Sequence, residues 1–196
     1  MFYLSIDVET SGPFPGLNDL CSIGAVVVLP RGGVWRVDEA RTFYRELQPQ
    51  GGVVVAAATR IHGLDPAHLQ AHGHPVSSAM AAFADWCAAL QAELGAFKAA
   101  AWPVSFDAPY IGWLAHQQLG HNPLGHSGFD IASYGMGLFS CTEKAQLEGR
   151  MAQAGYTPPQ NPQLHNALAD AIAQGETLAW LLNHAAGASA RGNEGG

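Results

Sequence analysis

Residues 2–11, FYLSIDVETS, place two carboxylates, Asp7 and Glu9, two positions apart in an otherwise apolar run. Strand side chains alternate faces with period 2, so both acids project from one side, roughly 7 Å apart along the chain. Like charges that close repel, and a strand that keeps them together has use for a cation. Two hard oxygen ligands at this spacing suit Mg²⁺ or Mn²⁺. An exposed edge strand with an acidic face would read the same way in isolation, because so short a motif recurs by chance. The choice rests on what lies elsewhere in the chain.

Outward from this strand, GPFPG at 12–16 is punctuated as a loop, and LCSIGAVVVL at 20–29 reads as a strand buried on both faces. A turn at 30–33 leads to strand segments at 34–37 and 41–47, which makes the first three strands an antiparallel meander. Residues 50–75 read as irregular. From Ser77 the period becomes helical, with Met80, Phe83, Cys87, Leu90 and Leu94 on one face and Ser77 or Ser78 as N-cap. A strand over 97–104 precedes a helix over 108–119 that Gly120 stops. Ser140 and Glu143 stand at capping-box spacing for a helix over 140–154. The last helix begins near Asn166 and turns Leu168, Ile172, Leu178 and Leu182 inward. This order predicts an α/β domain over 1–185, a mixed sheet of meander plus parallel strands covered by helices, with a flexible tail over 186–196.

Composition narrows the function. Nearly half the residues are apolar and 13% are charged, which excludes a disordered acidic chain. No apolar run is long enough to span a bilayer, and the three cysteines, Cys21, Cys87 and Cys141, lack a C-x-x-C spacing. A soluble cytoplasmic protein with no membrane partner is expected. The formal charge of −7 argues against electrostatic wrapping of a long polyanion.

Two more carboxylates stand out. Asp107, in VSFDAPY, follows a strand and precedes a helix, where an aspartate serves equally as N-cap or ligand. Asp170, in HNALADA, lies five residues after His165. Five helical residues turn about 140°, so the two side chains would diverge inside a helix body. His165 therefore belongs just before the helix, free to swing toward whatever Asp170 ligates.

The ordered set Asp7-x-Glu9, Phe106-Asp107 and His165-x-x-x-x-Asp170 resembles the DEDDh family of 3′–5′ exonucleases, and the resemblance runs from Phe2 to about Leu182. DVETSG, SIGAV and IHGLDP look like further family segments, whereas Trp102 and Pro103 stand where members often carry His-Asn. The resemblance implies a ribonuclease H-like fold with Asp7, Glu9, Asp107 and Asp170 holding two Mg²⁺ or Mn²⁺ ions. His165 is then the general base, a role suited to a mostly neutral imidazole. The implied reaction releases nucleoside 5′-monophosphates from the 3′ ends of single-stranded or short nucleic acid, with RNA favoured. Thr10, Gly12, His62 and Phe106 become substrate-binding candidates, and the oligomeric state stays open, a homodimer being one option because several relatives dimerise. Phe14, Trp102, Phe106 and Trp113 are candidates for base stacking, with core packing as the alternative. Two other readings compete: a catalytically silent nucleic-acid-binding or scaffolding module of the same fold, and a histidine metal site from His68, His72 and His74 or from His116, His121 and His126.

Overall fold

A computed structural model describes residues 1–193. Strands β1 (Phe2–Thr10), β2 (Leu20–Arg31) and β3 (Val34–Glu46) form the expected antiparallel meander. Helices α1 (Ala56–His62), α2 (Pro66–His72) and α3 (Val76–Leu94) follow, then β4 (Phe97–Ala101), α4 (Val104–Leu119), β5 (Gly128–Asp130), α5 (Ile131–Leu138), α6 (Lys144–Gln153) and α7 (Ala167–Asn193). The sheet order is β3-β2-β1-β4-β5, with β4 parallel to β1 and β5 parallel to β4. The α/β class with a mixed sheet is the one the sequence implied.

The strand β1 is central and covered on both faces, which explains its almost unbroken burial. Leu4, Ile6 and Val8 enter the core beneath α3 and α4, with Met80, Phe83, Ile111 and Leu114. Each such side chain, fully buried, contributes about 1.5–3 kcal/mol. Ser5, Asp7 and Glu9 alternate to the other face, where α7 crosses the meander.

Several local expectations change. The segment over 50–75 contains α1 and α2, separated by Gly63 in the left-handed region, and the Asp65 carboxylate caps α2 by accepting from the Ala67 and His68 amides. Pro75, not a serine, occupies the N-cap of α3, and Ser78 Oγ donates to the Pro75 carbonyl. The strand β4 ends at Ala101 and α4 begins at Val104, so Asp107 lies within the first turn and caps nothing. The capping box at 140–143 does not form: Ser140 has φ 52° and Glu143 makes no side-chain cap bond. The expected tail over 186–196 overlaps α7 through Asn193, and its last three residues lie outside the described residues.

The inward stripe of α7 also differs. Leu178 is buried, but Leu168, Ile172 and Leu182 are half-buried, and the closest approach is made by the small residues Ala167, Ala171 and Gly175. A Cβ on Gly24 would lie 2.1 Å from the Ala167 carbonyl carbon, and one on Gly175 would press on Val28, Val37 and Ser5. Ser5 Oγ donates to the Ala171 carbonyl at 2.8 Å, which fixes the helix against β1.

Gly24→Ala should therefore lower unfolding free energy by at least about 1–3 kcal/mol, as for an overpacked core. Gly149→Ala, in α6 with open space around it, should be neutral or stabilising. Urea unfolding of the two variants checks this, and equal stabilities would refute the close-packing account.

Candidate active site

Three elements deliver the four carboxylates to the end of β1. Asp7 and Glu9 come from the strand itself, opposite Gly24 and Ser22 of β2. The parallel ladder with β4 pairs Phe2 to Ser5 and then stops, and beyond it the Val8 amide donates to Asp107 Oδ1 at 3.0 Å. That bond ties the first turn of α4 to the peptide between the two β1 acids. Asp170 arrives on the first turn of α7, whose start is capped by Asn166 Oδ1 accepting from the Leu168 and Ala169 amides.

His165 precedes α7 by two residues and has φ 63°, a left-handed conformation uncommon for a residue with a Cβ. Its amide donates to Asp170 Oδ2 at 2.9 Å, and the exposed imidazole returns toward the acids. Ligand atoms of Glu9, His165 and Asp170 lie within 4.8 Å of one another. Among the described residues no other three His, Cys, Asp or Glu side chains gather this way, so the alternative histidine sites do not form. His68 instead lies 3.9 Å from Glu46 and beside the His72 ring.

The electrostatics of the group are unfavourable without a cation. Glu9 is 8% exposed and Asp107 3% exposed, and among the described residues none of the four acids pairs with Lys or Arg. Burial, then Asp107, Glu9 and Asp170, raise the Asp7 carboxyl well above its usual range, against the opposing Gln174 amide. Burial, Asp170 and Asp107 push Glu9 up to about 8. Burial pushes Asp107 up to about 7 despite the Val8 amide, and burial raises Asp170 despite the His165 amide and Asn161. Hard oxygen donors, crowded and partnered only by neutral N–H groups, fit a divalent metal.

No family model matches the chain. It is 30% identical over 174 residues to the 3′–5′ DNA exonuclease Cap18 of Escherichia coli, covering 89% of this chain and 88% of that protein. The chain belongs to the DEDDh family of 3′–5′ exonucleases. It is, by that membership, a phosphodiester hydrolase acting at 3′ ends. The nuclease domain of 3′hExo, a DEDDh member bound to rAMP, superposes with TM-score 0.70 at 12% identity, covering 93% of this chain and 92% of that one. Escherichia coli exonuclease I in complex with a dT13 oligonucleotide gives TM-score 0.69 at 15% identity over 92% of this chain. The chain spans 40% of exonuclease I and 64% of cell-death related nuclease 4, so it corresponds to part of those proteins. The fold is that of the ribonuclease H-like exonucleases.

The DEDDh frame carries a hollow of about 310 Å³ beside Glu9, and all four substrate-binding candidates, Thr10, Gly12, His62 and Phe106, line it with Val55 and Ile61. The Thr10 hydroxyl donates to the Gly12 carbonyl, which also accepts from Tyr110, so this turn is rigid. His62 Nδ1 accepts the Leu64 amide, which leaves the ring proton on Nε2, a buried donor influenced by the Thr10 carbonyl. Burial, eased by the Thr10 carbonyl and reinforced by His165, lowers the His62 pKa. Of the aromatic candidates, Phe106 packs on Tyr110 at the hollow, whereas Phe14 and Trp113 are exposed and Trp102 lies elsewhere. The core alternative therefore fails for Phe14 and Trp113.

Two partners of the acids escaped the sequence reading. Gln174 Nε2 donates to Asp7 Oδ1 at 2.6 Å, and Asn161 Nδ2 donates to Asp170 Oδ1 at 2.6 Å. Gln174 lies four residues after Asp170, so helical periodicity alone places it on the same face. Asn161 sits in the TPPQNP loop and carries no such signal.

The raised carboxyl pKa values have a definite sign. A carboxyl whose folded pKa lies above its unfolded value, about 4, stabilises the fold at low pH and loses that contribution as pH rises through the folded value. Metal-free protein should therefore melt at lower temperature at pH 8.5 than at pH 5.5, about the window bounded by Asp107 and Glu9. Saturating Mn²⁺ should raise the melting temperature most at the alkaline end. Thermal melts with chelator and with Mn²⁺ across this range check it, and a metal-free curve rising with pH would refute it.

Proposed function

We propose that the chain removes nucleoside 5′-monophosphates from the 3′ end of single-stranded DNA, with Asp7, Glu9, Asp107 and Asp170 holding two Mg²⁺ or Mn²⁺ ions and His165 as general base. The observation that carries the reading is the convergence of four carboxylates, Glu9 and Asp107 buried and Asp7 and Asp170 half-buried, unpaired with Lys or Arg among the described residues, beside a histidine held at the mouth by the Asp170 carboxylate. When bound, the ions lower the pKa of the attacking water and stabilise the departing 3′-oxygen.

The protein's own groups supply placement and proton transfer. His165 accepts the proton of the attacking water, and the main-chain bond to Asp170 keeps its ring at the cleft. Gln174 and Asn161 each occupy one carboxylate oxygen, which leaves the other edge of Asp7 for ligation and orients Asp170. The hollow receives the terminal nucleotide: Phe106 offers a ring face and His62 Nε2–H a donor for a sugar or phosphate oxygen.

A single strand suits the surface better than a duplex, because a chain of formal charge −7 cannot wrap a long polyanion. Scarcity of positive charge bears on RNA and DNA strands alike. The Cap18 relative, described as a DNA exonuclease, moves the preference from RNA to DNA.

Asp7→Ala should abolish Mn²⁺-dependent degradation of 5′-labelled single-stranded DNA while the protein stays folded, since a buried like charge is removed. His165→Ala should lose about 10²–10⁴-fold in kcat while Mn²⁺ still raises its melting temperature. Turnover by His165→Ala equal to the parent would remove the base from the scheme. Faster release of monophosphates from an RNA strand than from its DNA equivalent would overturn the sugar preference.

A further inference from the structure

The meander sets a polar group of β3 against the start of α7. Asp7, Gly24 and Tyr44 stand in register across β1, β2 and β3, and Glu9, Ser22 and Glu46 form the next row on the same face. Gly24 leaves a gap in the first row, and the Ala167 peptide fills it. The helix start therefore lies between Asp7 on one side and Tyr44 on the other.

Tyr44 is half-buried, and its hydroxyl is engaged twice. It donates to Glu46 Oε1 at 2.9 Å and accepts from Asn166 Nδ2 at 3.5 Å. The helix cap decides which end of the Asn166 amide meets it, because Oδ1 already accepts the Leu168 and Ala169 amides and only the NH₂ remains for Tyr44. Burial, then Glu46, raise the Tyr44 phenol above its ordinary range against Ser22 and Asn166, so the hydroxyl keeps the proton it donates.

What this bond can hold is the turn before α7. His165 precedes Asn166 and has φ 63°, and a residue with a Cβ stays in that region only where its surroundings over-determine it. The main chain supplies part of the restraint: the His165 amide donates to Asp170 Oδ2, the Asn166 amide to the Gln163 carbonyl, and the Asp170 amide to the Asn166 carbonyl. The Asn166 side chain supplies the rest, clamped between the helix amides and the Tyr44 hydroxyl.

We infer that Tyr44 is a positioning residue for the general base: its hydroxyl, anchored by Glu46, holds the Asn166 amide and through it the turn that presents His165 to the cleft. The inference rests on the exonuclease reading and deepens it, since a strand outside the acidic cluster then sets the place of the proton acceptor.

Tyr44→Phe keeps the ring and removes the hydroxyl. On 5′-labelled single-stranded DNA it should lower kcat about tenfold, within the cost of a misplaced reacting group, with KM and the Mn²⁺-induced rise in melting temperature as in the parent. Asn166→Ser keeps a capping oxygen and loses the amide; it should cost about the same, and the double variant no more than either single one. In a His165→Ala background Tyr44→Phe should change kcat no further, because the group it positions is gone. Parent-like kcat in Tyr44→Phe, multiplied losses in either double variant, a raised KM or a lost metal response each overturn the role. If Tyr44→Phe fails to fold, Asn166→Ser, alone and in the His165→Ala background, decides by the same readings. A parent without nuclease activity would sink the exonuclease reading, and the positioning is then decided by amide hydrogen exchange. Tyr44→Phe should speed exchange at Leu168 and Ala169 but not within α3, and unchanged rates overturn it.

Discussion

The contact on which the site depends is backbone against backbone: the peptide that opens α7 lies on Gly24 of β2, with no room for even a methyl group between them. Gly24 is the β2 partner of Asp7. The helix start is therefore brought down beside the first acid, and Asp170 and His165 come with it. Ala171 and Gly175 continue the approach along the helix, and the Ser5 hydroxyl locks it by donating to the Ala171 carbonyl. Larger residues would add apolar burial but lift the helix, and with it two of the five groups of the site. Small residues here trade packing volume for proximity.

Proximity has an electrostatic consequence. Neutral donors satisfy individual oxygens, from Val8 to Asp107, from Gln174 to Asp7, and from Asn161 and His165 to Asp170. None supplies positive charge, so burial holds Asp7, Glu9, Asp107 and Asp170 above their ordinary pKa values, with repulsion from the other acids adding at Asp7 and Glu9. The arrangement is complementary to cations and not to its own metal-free state. Rigidity from main-chain and amide bonds keeps that frustration from relaxing by side-chain rotation.

Most of this was legible where chemistry and periodicity agree. Asp7 and Glu9 declare themselves because period 2 puts two acids on one face of a strand that is otherwise apolar. His165 is located by the failure of a five-residue spacing to fit one helix face, and its left-handed φ shows how the chain solves that geometry. Asp107 stayed open between cap and ligand, because what removes the cap role is its place within the first turn and the long-range bond to Val8, invisible to local sequence. The inward stripe of α7 was misread because hydrophobicity marks large side chains, whereas the contact selects small ones. Short elements escaped too: α1, α2 and β5 are seven, seven and three residues long, too brief for a periodic signal.

An acidic protein that works on nucleic acid poses an apparent contradiction, which the hollow beside Glu9 helps to resolve. Affinity for long duplexes comes chiefly from cations along the phosphates, which this chain of nine Lys and Arg against sixteen Asp and Glu does not provide. A single strand exposes base faces instead, and ring surfaces can hold these without net charge. Phe106 lines the hollow beside Glu9, so a ring face stands next to the strongly negative centre. A divalent metal held by the acids would neutralise charge only at that point, and the surrounding negative field disfavours phosphates elsewhere on the surface. The proposed preference for a single-stranded end agrees with this scarcity of positive charge.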